Sequence, residues 1–165
     1  MRYDAYVNTA LAAMAKLPDS KPQVFVLTSS HADVDLLPTA EGLAAAYSML
    51  GKKTLIADLR SDGLTLGEIR QKQGFFFTAL TLVQGEAPPT AETMGALVEK
   101  LRTDYSTVLL VTSPVLESMA AMAAVRAASG VLMAEKRNLS RRDEIEKTLE
   151  AIRNLEGNPV GFLLV

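Results

Sequence analysis

The sequence predicts an α/β fold, a mostly parallel sheet with helices on both faces in three layers. Short runs of β-branched, aromatic and Leu residues recur along the chain, longer helical stretches separate them, and turn signals fall between the two. At 165 residues, 48% hydrophobic and 22% charged, the chain has enough apolar side chains to bury one sizeable core. We therefore read 1–165 as a single domain: an N-terminal helix over 1–17, a linker over 18–22 and an α/β core over 23–165.

Taken in order, Tyr3, Tyr6, Ala10, Met14 and Leu17 share a helical spacing, which Pro18-Asp19-Ser20-Lys21-Pro22 interrupts. Gln23–Thr28 (QVFVLT) reads as the first strand. Pro38–Leu50 is an Ala-rich helix closed by Gly51, and Thr54–Ala57 is the next strand. Phe75–Phe77, Leu80–Val83, Val108–Val111, Val131–Ala134 and Val160–Val165 read as further buried strands. Helices are expected over about Ala91–Asp104, Ser118–Ala128 and Arg141–Leu155, the last capped by Ser140 with Asp143 three residues on. Alternation in a strand sends one or two of the three phenylalanines into the core. Met119 and Met122 suit helix-on-sheet packing, and Lys136, Arg137, Arg141 and Arg142 read as a solvated basic face.

Composition narrows the function classes. Seventeen Lys+Arg against nineteen Asp+Glu give a net charge of −2, which supplies no electrostatic footprint for nucleic acid or an anionic membrane. There is no Cys, hence no disulfide, thiol nucleophile or Cys-based metal site. No apolar run approaches the ~20 residues that cross a bilayer. The expectation is a cytoplasmic protein that inserts into no membrane and whose partner is another protein.

In parallel α/β sheets, ligands sit beyond the carboxyl ends of the strands. That rule gathers the Thr28–Pro38 loop, Asp58 and Thr112-Ser113-Pro114 around one crevice. The loop has the position and length of a phosphate-binding loop without its chemistry. Such a loop needs glycines that let backbone N–H groups converge on phosphate, a Lys for the β- and γ-phosphates, and a hydroxyl for Mg²⁺. Between Thr28 and Pro38 there is neither a glycine nor a lysine. His31, Asp33, Asp35 and Asp58 could converge on a divalent metal. The simpler reading makes them solvated loop residues, with Asp35 capping the helix that follows.

The residues around these loops resemble the bacterial tyrosine kinase family of capsule and exopolysaccharide synthesis, a branch of the MinD/ParA-like P-loop ATPases. The likeness runs over most of the chain. Asp4-Ala5-Tyr6 is similar to the family's N-terminal Glu-Ala-Tyr-Arg, and Val24–Ser30 to its first strand and the start of its loop. Gly42-Leu43-Ala44 through Gly51–Arg60 is similar to its "nLA…G-K-x-V-L-L-I-D-a-D-L-R". Val83–Pro89 resembles its "G-x-x-P-P-N-P" loop, Leu101–Leu116 its "Y-D-x-V-I-I-D-T-P-P-V", and Gly157–Leu164 its final "lG-V-V-L-N" strand.

The departures fall on the chemistry. Aligned without gaps, Leu36 stands at the phosphate-loop Lys, Leu37 at the Mg²⁺ hydroxyl, Asp33 and Asp35 at glycines, and Pro38 removes a backbone donor at the helix start. Two carboxylates where phosphate would lie cost roughly 3 kcal/mol per charge pair at ~6 Å and an effective dielectric of ~20. Val111 stands where the Walker B motif has its Asp. Of the paired aspartates after the second strand, Asp58 remains and Arg60 takes the second place, although a two-residue gap would realign this. The family's ring-forming Glu-x-x-Arg-x-x-Arg falls on Asp4, Val7 and Ala10, and its tyrosine-rich tail has no counterpart, the last tyrosine being Tyr105.

The resemblance and its departures together imply a pseudokinase with no catalytic residue, nucleotide or metal. It would serve as an interaction or regulatory module in exopolysaccharide or capsule synthesis or export, recruited by a polysaccharide co-polymerase, an active kinase or another secretion component. Two alternatives stand beside it: a nucleotide-binding protein or kinase with an altered site anchored on Asp58, and a MinD/ParA-like scaffold in another pathway.

Overall fold

The structure is a computed structural model that describes residues 3–18 and 21–165; Met1 and Arg2 of the expected first helix, and Asp19 and Ser20 of the linker, lie outside the described residues. The elements in chain order are α1 (Tyr3–Ala15), β1 (Gln23–Thr28), α2 (Leu37–Met49), β2 (Thr54–Asp58), β3 (Thr65–Leu66), β4 (Arg70–Gln71) and β5 (Phe76–Thr81). After these come α3 (Ala91–Arg102), β6 (Thr107–Val111), a 3₁₀ turn (Val115–Glu117), α4 (Met119–Ala127), β7 (Gly130–Glu135), α5 (Arg142–Asn154) and β8 (Pro159–Leu164).

Six strands lie parallel in the order β5-β2-β6-β1-β7-β8, and the short β3 and β4 pair antiparallel with β5. The central strands are apolar throughout because both of their faces are covered. Val24, Val26, Leu55, Ala57, Val108, Leu110, Val131 and Met133 face α3, α4 and α5. Their neighbours Phe25, Leu27, Ile56, Leu109, Val111, Leu132 and Ala134 face α1 and α2. The period of two thus sorts one continuous apolar strand set into two cores.

Helix α2 packs on β1 through Tyr47, whose ring stacks on Phe25 at 5.6 Å and 17°. Burial raises the Tyr47 phenol well above its usual range. Gly42 lets α1 approach α2: a Cβ there would lie 2.5 Å from the Tyr6 ring. Gly51 follows the end of α2 at φ 79°, a left-handed position that glycine adopts without strain.

The structure differs from the sequence reading at several places. Met119, expected to pack against the sheet, is 58% exposed, and β8, expected to be buried, is an edge strand with Phe162 and Leu164 exposed because only one of its sides meets another strand. The two apolar runs at 75–77 and 80–83 are one strand, β5, because the intervening Thr78 is buried and its hydroxyl donates to the Gly67 carbonyl at 3.2 Å. Leu82 and Val83 fall beyond the strand end and are exposed. The short β3 and β4 were not anticipated, since two residues carry no period. At α5, Ser140 is not the cap; its hydroxyl accepts the Lys136 N–H, while the Glu144 carboxylate reaches back to the Arg141 N–H at 3.3 Å. Of the three phenylalanines, Phe75 is buried, and Phe76 and Phe77 pack half-buried on opposite cores.

Candidate functional site

The carboxyl ends of β1, β2 and β6 form the expected crevice. Ser29, His31, Val34, Leu36, Arg60 and Thr112-Ser113-Pro114 are among the residues lining a cavity of about 100 Å³. Backbone bonds draw its walls together: Leu59 N–H donates to the Val111 carbonyl at 2.8 Å and Thr112 N–H to the Leu27 carbonyl at 3.1 Å. The Thr28 hydroxyl donates to the Ser113 carbonyl at 3.2 Å.

The loop between β1 and α2 draws its hydrogen bonds from within the chain. Ser30 N–H donates to the Glu135 carboxylate at 2.7 Å, and the Ser29 and Ser30 hydroxyls donate to the same group at 3.1 and 2.8 Å. His31 N–H donates to the Ser29 hydroxyl, Asp33 N–H to His31 Nδ1, and Val34 N–H to the His31 carbonyl, each at 3.2 Å. The exposed Asp33 carboxylate lies 3.9 Å from the same Nδ1. At the loop's end Leu37 N–H donates to Asp35 Oδ1 at 3.2 Å. Asp35 therefore does cap a donor of α2, from one residue before the cap position, which is Leu36.

Asp58, at the end of β2, is bound on both carboxylate oxygens. Arg60 Nε donates to Oδ1 and an Arg60 Nη to Oδ2, both at 2.9 Å, and Arg60 N–H adds a third bond at 3.1 Å. This bidentate fork is the strong form of the Arg–carboxylate pair. The hydrogen bond to Asp58 raises the guanidinium's pKa further, burial opposes it, and the Asp58 and Asp35 charges add to it.

Of the remaining predicted site residues only Leu36 lines the cavity, and it does so with an apolar side chain. Leu36 is buried in the α1/α2 core and Val111 is fully buried there, so neither offers the crevice a polar atom. Leu37 is half-buried, and Asp33, Asp35 and Pro38 are exposed. Among the described residues no three His, Asp or Glu side chains come together as a group that could hold a metal ion.

Sequence reasoning missed two participants. Glu135 closes the apolar run Val131–Ala134 and is 1% exposed; a carboxylate ending a buried strand was the available signal, because a buried charge must find partners. Arg60 was read as a lost aspartate, whereas its spacing of two from Asp58 lets one turn close the ion pair.

No known family profile matches the chain, and no curated protein sequence matches it. Its backbone does have solved counterparts. The kinase domain of the Escherichia coli tyrosine kinase ETK superposes with a TM-score of 0.78 at 18% identity, covering 98% of this chain and 74% of that one. The chain has the fold of bacterial tyrosine kinase domains. The VpsO kinase domain is similar with a TM-score of 0.68 at 17% identity, covering 97% of this chain and 95% of that one. The same fold extends to the cobyrinic acid a,c-diamide synthase of Mycobacterium smegmatis, solved with ADP and magnesium, at a TM-score of 0.67, 17% identity, and coverage of 86% and 71%. Among the described residues no helix is long and apolar enough to cross a membrane.

Proposed function

We propose that this chain keeps the tyrosine-kinase scaffold without its chemistry and acts as an interaction or regulatory module, in the exopolysaccharide or capsule pathway that the sequence resemblance implies. The observation that carries the reading is the Asp58–Arg60 fork: the carboxylate that would help organise Mg²⁺ is neutralised by a guanidinium of the same chain. Phosphoryl transfer rests on Mg²⁺ and on cations aimed at the phosphates. Here the loop's lysine position is a buried leucine, and the donors that would turn to phosphate are spent on Glu135, His31, Ser29 and Asp35. A cavity of about 100 Å³ is also small beside the ~300–1,000 Å³ of ordinary small-molecule sites. These residues do not fit a Mg²⁺–nucleotide.

The partner is a protein: a co-polymerase, an active kinase or another secretion component, met at the inner membrane or in the cytoplasm. Calorimetric titration of MgATP and MgADP tests the reading. We expect no saturable heat at roughly millimolar nucleotide, below about 4 kcal/mol of binding. Saturable micromolar binding, abolished by Asp58→Ala, would replace this reading with an altered nucleotide site anchored on Asp58.

A further inference from the structure

At the opposite end of the sheet, the amino ends of β1, β2 and β6 border a cavity of about 360 Å³. Its wall carries Lys21, Lys52 and Arg102 against one carboxylate, Asp104, an excess of positive charge in a chain whose net charge is −2. Arg102 is already committed: its guanidinium donates to Glu99 at 2.8 Å and to the Ser129 hydroxyl at 3.1 Å. The two lysines are not. Among the described residues neither forms an ion pair, with Asp104 or with any other carboxylate.

The next residue shows what a lysine here does when the fold uses it. Lys53 lies over the Phe76 and Tyr105 rings, at 5.4 and 5.0 Å from their centroids. Lys52 is instead half-buried in the cavity wall and lies over no ring. Cations near helix carboxyl ends offset the helix dipole, which accounts for Arg102 in the last turn of α3 and in part for Lys52 after α2. Lys21 belongs to neither helix, and that account leaves it unexplained.

We propose that this cavity is a binding site for a small phosphate-bearing molecule, held by the Lys21 and Lys52 ammonium groups with the exposed Ser106 beside them. The volume lies in the range of small-molecule sites, and an excess of positive over negative charge along the cleft concentrates anions. The site is separate from the crevice, so it stands or falls independently of the functional reading above.

The test is a titration of inorganic pyrophosphate into the ¹⁵N-labelled protein at low ionic strength, followed through amide chemical shifts. Saturable shifts are expected at Lys21, Lys52 and Thr103–Ser106. The Lys21→Ala/Lys52→Ala variant should weaken binding at least about tenfold, while Lys147→Ala, which removes an exposed charge on α5, leaves it unchanged. The lysines sit at the surface and in a cavity wall, so the double variant keeps its melting midpoint within about 2 °C. No saturation at roughly 10 mM, shifts confined to the crevice loop, or equal binding by the double variant would overturn the proposal.

Discussion

The two ends of the central strands treat polar groups in opposite ways. At the carboxyl end Glu135 takes three bonds from Ser29 and Ser30, Asp58 takes a guanidinium fork, and Asp35 takes a helix donor. Asp62 there accepts the Ser118 hydroxyl, which also caps α4. At the amino end Lys21 and Lys52 border a larger cavity and pair with no carboxylate among the described residues. The fold places ligands at the carboxyl end by rule, yet that end is the self-satisfied one. Polar groups in a site that meets no ligand must find partners within the chain; groups left unmatched are the ones free to meet something else.

Removing Glu135 breaks the comparison most severely. Glu135→Ala deletes one acceptor of three bonds and strands two buried or half-buried serines, each unsatisfied donor costing roughly 1–3 kcal/mol. We expect a loss of about 3 kcal/mol in urea unfolding. Glu135→Gln, which keeps the shape and one acceptor, should fall between the variant and the wild type. A loss under about 1 kcal/mol would mean that the loop is held by other contacts and that its donors are not spent on Glu135.

A smaller effect separates the crevice from an ordinary surface. In the Asp58–Arg60 pair the carboxylate side chain is 15% exposed, whereas in Arg142–Glu146 on α5 the two side chains are 92% and 62% exposed. Arg60→Ala should cost about 1–2 kcal/mol and Arg142→Ala no more than about 0.5 kcal/mol. Equal losses would reduce the fork to one more solvated ion pair.

The scaffold was legible in the sequence because burial on both faces writes itself as uninterrupted apolar strands. QVFVLT predicts β1 with its bounds, TLIA misses only Asp58 of β2, and VLMA misses one residue at each end of β7. The crevice was legible in part: residues of the Thr28–Pro38 loop and Thr112–Pro114 line one cavity as the strand-end rule expects, but Arg60, paired to Asp58, lines it in place of Asp58. What could not be read is pairing across the fold. Glu135 lies more than a hundred residues from Ser30, and only the parallel pairing of β1 with β7 brings them together. The β3–β4 segment escaped for another reason: its residues are exposed or half-buried and its strands depend on β5 for their bonds.

Glu86, in the loop after β5, sharpens the comparison through pH. Its carboxylate accepts Val83 N–H at 2.9 Å and Leu64 N–H at 3.0 Å, and these bonds, Val83's first, hold its pKa below the ordinary 4.5. The unfolded chain then binds a proton more readily than the folded one. The stability this group contributes is therefore present above the ordinary value and is lost as pH falls through the lowered one. Glu86→Gln removes that dependence. Urea midpoints of wild type and variant, measured from about pH 7 down to about pH 3, should differ most at neutral pH and converge in acid, because the protonated carboxyl resembles the amide. A gap that stays constant across the range would mean that the two backbone donors do not hold Glu86 ionised, and that this loop, unlike the crevice beside it, owes nothing to an internal anion.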